Sequence, residues 1–212
     1  MKYRIICFIG TDGSGKSTLL SETKKELEKD QEIEVKTAYF GWKPFLPSTK
    51  ILSALLKKNN YQIADRMNKQ EQKFSLIQEV MLGYYFIEYL SRYVFQIKLP
   101  LLKNFSNKKK QIMLIDRYFY DMYAHYRYAN QSRIFPILIK LMPKPDSVIF
   151  LTVDVETAKQ RKPEMDIDLL QEHYHRYHQL RNLNLIPIKT IKTDQEKQRS
   201  LQEIMDIIRE AI

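Results

Sequence analysis

Nine consecutive residues near the start of the chain have the types and spacing that bind phosphate. Positions 10–18 read GTDGSGKST, so three glycines precede a lysine and a serine. Glycine permits backbone angles at which successive amide N–H groups point toward an anion. Lysine adds a mobile positive charge for outer phosphates, and a serine hydroxyl is a ligand that magnesium accepts. We therefore predict a phosphate-binding loop whose binding residues are Gly10, Gly13, Ser14, Gly15, Lys16, Ser17 and Thr18.

The elements on either side of this loop suit that role. An apolar run at 5–9 predicts a buried strand before the glycines, and a helical pattern begins at Leu19. A motif of this spacing binds phosphate when it lies between a strand and a helix, whose positive dipole end then faces the anion. A chance match in a glycine-rich turn is the alternative, and the flanking strand and helix weigh against it.

Length and cysteine content indicate an intracellular globular protein. A chain of 212 residues can bury a core without disulfides and is most simply one domain, 1–212. Its single cysteine, Cys7, lies in the first strand pattern and is expected to be a buried core residue. The longest uncharged apolar stretch, 80–87, is far shorter than the roughly 20 residues of a membrane span. We expect a cytoplasmic protein that touches membranes at most peripherally.

The net charge of +10 raises the question of a nucleic-acid partner. The lysines are scattered over predicted helix surfaces and one turn, and no known nucleic-acid-binding motif accompanies them. A basic face around a polyphosphate site explains the charge more simply. We therefore expect no nucleic-acid partner.

Strand and helix patterns alternate along the chain, which predicts an α/β fold with a parallel sheet covered on both faces. The predicted strands are 5–9, 32–40, 111–115, 147–153 and 186–192. The predicted helices include 48–58, 70–99, 119–129, 134–141 and 196–212. The 70–99 helix is apolar nearly all round in its middle, so we expect it to be central and buried, with Pro100 closing it.

Ligands of open parallel sheets bind beyond the carboxyl ends of the strands. Asp116 follows the third predicted strand, where a carboxylate is suited to hold magnesium opposite Ser17. Arg117 is suited to bind phosphate oxygens with both guanidinium nitrogens. Arg161, at the end of a predicted helix, is suited to neutralise charge on a transferred group. The alternatives are a surface ion pair for Asp116 and Arg117, and a basic helix C-terminus for Arg161.

Aromatic side chains offer two roles. Phe40, Trp42, Tyr85 and Tyr89 can stack on a base or sugar, but aromatics along a buried helix more often pack in the core. For Tyr85 and Tyr89, core packing is the favoured interpretation. The histidines show no spacing that predicts a metal site; they are His125, His173, His175 and His178.

With these residues the sequence resembles the thymidylate kinase family of P-loop nucleoside monophosphate kinases over nearly its whole length. The resemblance depends on 10–18 with its acid at Asp12, on Asp-Arg-Tyr at 116–118, and on Leu-Thr-Val-Asp at 151–154 followed by a helix ending in Arg161. Thr-Asp at 193–194 before the last helix adds to it.

The resemblance implies a P-loop NTPase fold with three α/β/α layers and a five-stranded parallel sheet. It also implies ATP on the loop, Mg²⁺ near Ser17 and Asp116, and a short lid about 161–166. The acid matching Asp12 contacts the acceptor's sugar in relatives, the arginine matching Arg117 reaches phosphate, and Asp194 lies near the donor's base.

The departures from the family concern the acceptor. Positions 40–44 read FGWKP where relatives carry Arg-Glu-Pro-Gly, and the lid is a short Arg-Lys-Pro-Glu at 161–164. Relatives read the pyrimidine with an arginine of the long helix, and Arg92 is the arginine that lies near that position. Phosphoryl transfer is therefore expected, and the acceptor is open.

The sequence predicts a Mg²⁺-dependent kinase that uses ATP on a small acceptor, with a (deoxy)nucleoside monophosphate such as dTMP first. The alternatives are a same-fold kinase acting on a sugar or a cell-envelope intermediate, and a nucleotide-binding regulatory protein without an acceptor. A homodimer is left open. The predicted catalytic residues are Lys16, Asp12, Arg117 and Arg161. The predicted acceptor-binding residues are Asp12, Phe40, Trp42, Tyr85, Arg92 and Arg117.

Overall fold

The sheet consists of five parallel strands in the residues that the computed structural model describes, which are 3–41, 45–48, 50, 76–103, 109–126 and 129–211. The strands are β1 Tyr3–Gly10, β2 Ile33–Tyr39, β3 Lys110–Asp116, β4 Ser147–Thr152 and β5 Ile188–Lys192. Their order across the sheet is β2-β3-β1-β4-β5. The predicted α/β fold with a five-stranded parallel sheet is confirmed.

Helices cover both faces of this sheet. They are α1 Lys16–Leu27, α2 Leu76–Arg92, α3 Leu99–Lys103, α4 Asp121–His125, α5 Phe135–Leu141, α6 Val155–Arg161, α7 Ile167–Asn182 and α8 Lys197–Ala211. A π-helical segment, Tyr93–Lys98, joins α2 to α3, and a 3₁₀ turn, Ala129–Gln131, follows α4. Among the described residues, none of the helices combines the length and the hydrophobicity that a membrane span requires.

Alternation along the strands divides the core between the two faces. Ile6 and Phe8 of β1 pack with α1 and α8 on one face. Cys7 and Ile9 pack with residues of α2, α5 and α7 on the other. Both faces of β1 are therefore buried, which explains its continuous apolar run, and Cys7 is a core residue as predicted.

The strand order places the candidate site. β1 lies between β3 and β4, and it pairs with β3 so that Phe8 is beside Asp116. The connection after β1 leads to one side of the sheet and the connection after β3 crosses to the other. The loops after these two neighbouring strands therefore border a crevice, where ligands bind in folds of this type.

The predicted end of the long helix was wrong. Helical structure continues through Pro100, the second residue of α3. The π-helical segment precedes it, and the Leu99 N–H bonds to the Val94 carbonyl. Proline is tolerated here because the first turn of a helix does not require its missing N–H.

The same helix is not buried on all sides. Leu82 and Ile97 have no exposed surface, but Val80, Ile87 and Phe95 are 65%, 54% and 57% exposed. A helix that packs on one face of a sheet buries one side only.

Two further helix predictions differ from the structure. Within 119–129 the α-helix covers only Asp121–His125, because Tyr126 adopts an extended backbone, and a 3₁₀ turn follows. The predicted 48–58 helix and the start of the 70–99 helix lie largely outside the described residues.

Candidate functional site

The phosphate loop, residues 10–18, packs its backbone tightly against neighbouring elements. Gly10 and Gly13 have φ of 151° and 82°, in the region that favours glycine. A Cβ at Gly10 would lie 2.3 Å from the carbonyl oxygen of Leu151, and a Cβ at Gly13 would lie 2.7 Å from that of Ala158. Any side chain at these positions would displace the loop from β4 and α6.

Lys16, at the start of α1, turns back onto the loop. Its Nζ donates to the carbonyl oxygens of Gly10 at 2.8 Å and Thr11 at 2.6 Å, and the side chain is buried. Burial, together with the neighbouring Arg117 charge, lowers the pKa of Lys16 from 10.5 to about 8. The predicted phosphate-binding cation is thus held against the loop by backbone oxygens with which a phosphate competes.

Ser17 and Asp116 form the oxygen pair that was predicted to hold magnesium. The Ser17 hydroxyl donates to Asp116 Oδ2 at 3.4 Å. The other carboxylate oxygen, Oδ1, is buried and has no hydrogen-bond partner. An unsatisfied carboxylate oxygen beside a hydroxyl fits Mg²⁺, which takes few protein ligands and completes its shell with water and phosphate. Among the described residues, no group of three or more acidic, histidine or cysteine side chains is arranged to hold a metal ion.

Arg117 directly follows β3, and its backbone has a left-handed conformation with φ of 68°. Its N–H donates to the Phe8 carbonyl at 2.9 Å, which ties the strand end to β1. Its Nη2 donates to Asp12 Oδ1 at 2.5 Å. The alternative of an Asp116–Arg117 ion pair is not what the structure shows, because each residue bonds to a different residue of the phosphate loop.

A polar network that sequence reasoning missed surrounds the other side of Arg117. Its Nη1 lies 2.6 Å from His125 Nε2, and the Tyr177 hydroxyl lies 3.2 Å from the same nitrogen. Tyr177 also bonds to Asp121, which accepts the Tyr118 N–H at 2.8 Å. Helical spacing was the available signal, since the buried residues of α7 recur on one face: Leu170, His173, Arg176, Tyr177 and Leu180.

Burial controls the charges in this network. Burial raises the pKa of Asp121, although the Arg117 charge opposes that change. Burial also lowers the pKa of His125 well below its usual range, and the Arg117 charge adds to that. For Arg117, burial favours deprotonation, but Asp121, Tyr177 and other neighbours outweigh it and raise the pKa. The network therefore holds a charged guanidinium beside a neutral imidazole.

Arg161 bridges the phosphate loop and the end of β5. Its Nη1 donates to the Gly13 carbonyl at 3.2 Å, and its Nη2 donates to the Thr193 carbonyl at 2.8 Å. Asp194, the residue predicted near the donor's base, follows directly and is exposed. Arg161 is the last residue of α6, which agrees with the alternative of a basic residue at a helix C-terminus. It also contacts the phosphate loop.

The connection after α6 is held by a lysine. Lys159 Nζ donates to the carbonyl oxygens of Pro163 at 2.8 Å and Met165 at 2.5 Å. Asp166 then begins α7 by accepting the Asp168 N–H. The segment predicted as a lid is thus a short connection with its own internal hydrogen bonds.

Arg92, predicted to bind the acceptor, is buried and engaged elsewhere. Its Nη1 donates to the Gly41 carbonyl at 2.7 Å, and its Nη2 lies 3.4 Å from Glu88 Oε1. The Glu88 carboxylate accepts the N–H groups of Phe45 and, at 3.1 Å, Leu46. We call these five residues the β2-end cluster. Arg92 supports the chain that leaves β2, and its side chain is only 4% exposed.

The structure also locates two of the aromatic residues that were predicted to bind the acceptor. Phe40 has no exposed surface and stacks on Tyr118 at 5.7 Å between ring centroids, so it packs in the core. Tyr85 is half-buried and packs edge-on against Tyr126 at 5.8 Å, in agreement with the favoured core role. Trp42 lies outside the described residues.

The fold has a counterpart among solved structures. A crystal structure of thymidylate kinase from Ehrlichia chaffeensis is similar to this chain with a TM-score of 0.61 and 18% sequence identity. The match covers 98% of this chain and 100% of that one. No family model and no curated protein matches the sequence. At this identity the likeness shows the fold alone, an α/β fold with a five-stranded parallel sheet, and it does not show the activity.

Proposed function

We propose that this protein is a kinase that transfers the γ-phosphoryl group of ATP to a small acceptor, a (deoxy)nucleoside monophosphate such as dTMP. One observation carries the proposal: the phosphate loop and the end of β3 meet through two contacts. Ser17 lies 3.4 Å from Asp116, and Asp12 lies 2.5 Å from Arg117. These contacts support the proposal because they bring a hydroxyl and carboxylate pair and an arginine, a residue type suited to bind phosphate, beside the loop.

The loop and Lys16 would bind the donor. The backbone amides and the positive end of α1 favour a polyphosphate at this position. When the triphosphate binds, the Lys16 ammonium exchanges the carbonyl oxygens of Gly10 and Thr11 for phosphate oxygens. Because Lys16 is already buried beside the loop, the exchange requires only a short movement of its end.

Ser17 and Asp116 would hold the magnesium ion. The buried, unpartnered Oδ1 of Asp116 supports this assignment, because such an oxygen is costly unless a ligand satisfies it. Magnesium would supply charge neutralisation and orientation of the donor phosphates.

Transfer would depend on positioning and charge stabilisation. An acceptor oxygen forms a bond to the γ-phosphorus while the bond from that phosphorus to the bridging oxygen breaks, and ADP leaves. Arg117 and Arg161 would offset the charge on the transferred group, and Asp12 would orient the acceptor. Since Asp12 and Arg117 bond to each other in the free protein, the acceptor must take over part of that pairing.

A second candidate keeps the reaction and changes the acceptor to a sugar or a cell-envelope intermediate. The β2-end cluster favours it. The arginine that would read a pyrimidine is buried against Gly41 and Glu88, and Phe40 has no exposed surface. The two candidates share every donor-side residue and differ only in what enters beside Asp12 and Arg117.

A coupled ADP-release assay tests the proposal. ATP and Mg²⁺ are supplied with dTMP, with each other nucleoside monophosphate, with sugars, or with no acceptor. We expect release that depends on a nucleoside monophosphate and is abolished by EDTA. Stimulation by a sugar alone would favour the second candidate. ATP binding without transfer to any acceptor would contradict both and indicate a nucleotide-binding regulatory protein.

A further inference from the structure

We propose that His125 is a positioning residue for Arg117, whose guanidinium it holds by accepting a hydrogen bond from Nη1 while Asp12 accepts one from Nη2. The consequence for turnover rests on the proposed function. The hydrogen bond itself can be tested without turnover, so failure of one does not imply failure of the other.

The two contacts of Arg117 define the chemistry of His125. Nη1 lies 2.6 Å from His125 Nε2, and Nη2 lies 2.5 Å from Asp12 Oδ1. A guanidinium has donors and no acceptor, so Nε2 of His125 must present a lone pair. The proton of the neutral ring is therefore on Nδ1. The geometry thus specifies one tautomer of one residue.

Tyr177 does not compete for that lone pair. Its hydroxyl has one proton, which it donates to the buried Asp121 carboxylate. The other Asp121 oxygen accepts the Tyr118 N–H. The phenol oxygen 3.2 Å from Nε2 then has no proton for it. Of these neighbours, Arg117 is therefore the one that donates a hydrogen bond to His125 Nε2.

The surroundings keep the imidazole neutral and in place. His173 of α7 packs edge-on against the His125 ring at 4.3 Å between centroids. Arg176, one turn further along α7, donates to the Ala124 carbonyl at 3.2 Å and so ties α7 to α4. Burial disfavours a second positive charge on His125, and the Arg117 charge disfavours it further, so the pKa of His125 falls well below its usual range.

The arrangement gives the two partners of Arg117 different tasks. Asp12 is 29% exposed in its side chain, and an acceptor that displaces it from Nη2 would leave Nη1 bonded to His125. The guanidinium would then keep its orientation through the exchange. With a residue that cannot accept at 125, displacement of Asp12 would free the whole group to rotate, and the orientation needed for transfer would be lost.

The first test is a ¹⁵N NMR measurement of the histidine side chains in the full chain at neutral pH. The His125 signals are assigned by their loss in His125→Gln. We expect a neutral ring with the proton on Nδ1 and an unprotonated Nε2. A proton on Nε2, or an imidazolium, would overturn the proposal, because neither can accept from Arg117.

The second test compares two substitutions with whichever acceptor supports ADP release. His125→Gln retains a side-chain oxygen that can accept from Nη1, whereas His125→Phe does not. We expect His125→Phe to lower kcat by roughly 10–100-fold, with the KM for ATP unchanged, and His125→Gln to recover most of that loss. His175→Phe, on the exposed side of α7, is the matched control and should behave as wild type.

Equal activity of both variants, whether both are impaired or both resemble wild type, would contradict a role for the accepted hydrogen bond. Thermal unfolding of each variant establishes that it is folded. If His125→Phe does not fold, the tautomer in the wild-type protein and the activity of His125→Gln decide the question. An active His125→Gln with the Nδ1–H tautomer in wild type supports the proposal, and an inactive one contradicts it.

Discussion

The phosphate loop is held by its own backbone, whereas the β2-end cluster is held by side chains that meet across the fold. In the loop, Gly10 and Gly13 pack directly against β4 and α6, and Lys16 bonds to carbonyl groups five and six residues away. The loop is therefore shaped by backbone geometry and backbone contacts, some of them with β4 and α6 far along the chain.

The β2-end cluster has the opposite construction. Arg92 bonds to Gly41, 51 residues earlier, and Glu88 accepts N–H groups of Phe45 and Leu46. The two side chains are 4% and 5% exposed, and removing either would take the counter-charge away from the other. Here the backbone is positioned by buried charge.

Because the two regions are built differently, we expect substitutions in the phosphate loop to affect activity and substitutions in the β2-end cluster to affect stability. A loop shaped by glycine geometry can lose a functional side chain and keep its form. A segment held by one buried ion pair loses its form when either partner is removed. Substitutions in the two regions should therefore have contrasting effects, and four experiments test that contrast.

The largest effect is expected for Lys16→Met. Removing the cation that binds the outer phosphates should lower kcat/KM for ADP release by about 10³-fold, or about 4 kcal/mol. The free energy of unfolding should change by less than about 2 kcal/mol, since the loss is limited to Nζ hydrogen bonds with two carbonyl oxygens and, at 3.5 Å, the Ser14 hydroxyl. Lys25→Met, at an exposed position of the same helix, is the control. Retained turnover in Lys16→Met would contradict the proposed function.

Arg92→Met should show the reverse pattern. It leaves the buried Glu88 carboxylate without its cation, and we expect the free energy of unfolding to fall by about 3 kcal/mol in urea denaturation. Arg209→Met removes an exposed ion pair with Asp206 and should cost less than about 1 kcal/mol. Equal losses in the two variants would show that the buried pair does not support the fold as we describe.

The pH dependence of ATP use tests the burial of Lys16. In the free protein the pKa of Lys16 is about 8, below its ordinary 10.5. As pH rises above 8 the lysine loses its charge, so kcat/KM for ATP should fall about tenfold per pH unit. Lys16→Arg keeps the charge and should remove this decline.

The same shift has a consequence for stability. Between pH 8 and 10.5 the unfolded chain binds more protons at this lysine than the folded protein, so its contribution makes unfolding less favourable as pH rises. For the activity measurement, a decline in kcat/KM for ATP that persists in Lys16→Arg would show that the pH dependence arises from a group other than Lys16.

The smallest effect is expected at His173. Burial, together with the Arg176 charge, lowers the pKa of His173 from 6.5 to about 4. The unfolded chain therefore takes up a proton first as pH falls, and stability decreases from pH 6.5 toward pH 4. Between pH 7 and 5 we expect a loss of about 1–2 kcal/mol that His173→Phe reduces. The exposed His175→Phe should leave the pH dependence of the urea midpoint unchanged.

Sequence reasoning was most successful where the determinants are local. The strand, glycine-rich turn and helix around 10–18 were predicted because each depends on neighbouring residues, and the structure has β1, the loop and α1 in those places. The helix that ends in Arg161 was also predicted, and in the structure it is α6, which begins after the N-capping Asp154.

It was less successful where packing decides. Pro100 was expected to end a helix, but a π-helical turn places it where proline is tolerated. Phe40 and Arg92 have residue types that suit a ligand, yet both are buried by contacts with residues far along the chain. His125 was not predicted to be functional. Its contact with Arg117 forms in the folded protein, where Arg117 follows β3 in a left-handed backbone conformation.

The amino-acid sequence by itself determined the alternating α/β pattern and the phosphate loop, since periodicity, glycine freedom and helix capping act within a few residues of chain. Only the tertiary structure decided which side chains complete the site. The order β2-β3-β1-β4-β5 puts β3 beside β1, and this brings Asp116 to Ser17 and Arg117 to Asp12, each across about a hundred residues. Whether an arginine lies beside the phosphate loop or supports the core depends on the residues that the folded chain places around it, as Arg117 and Arg92 show.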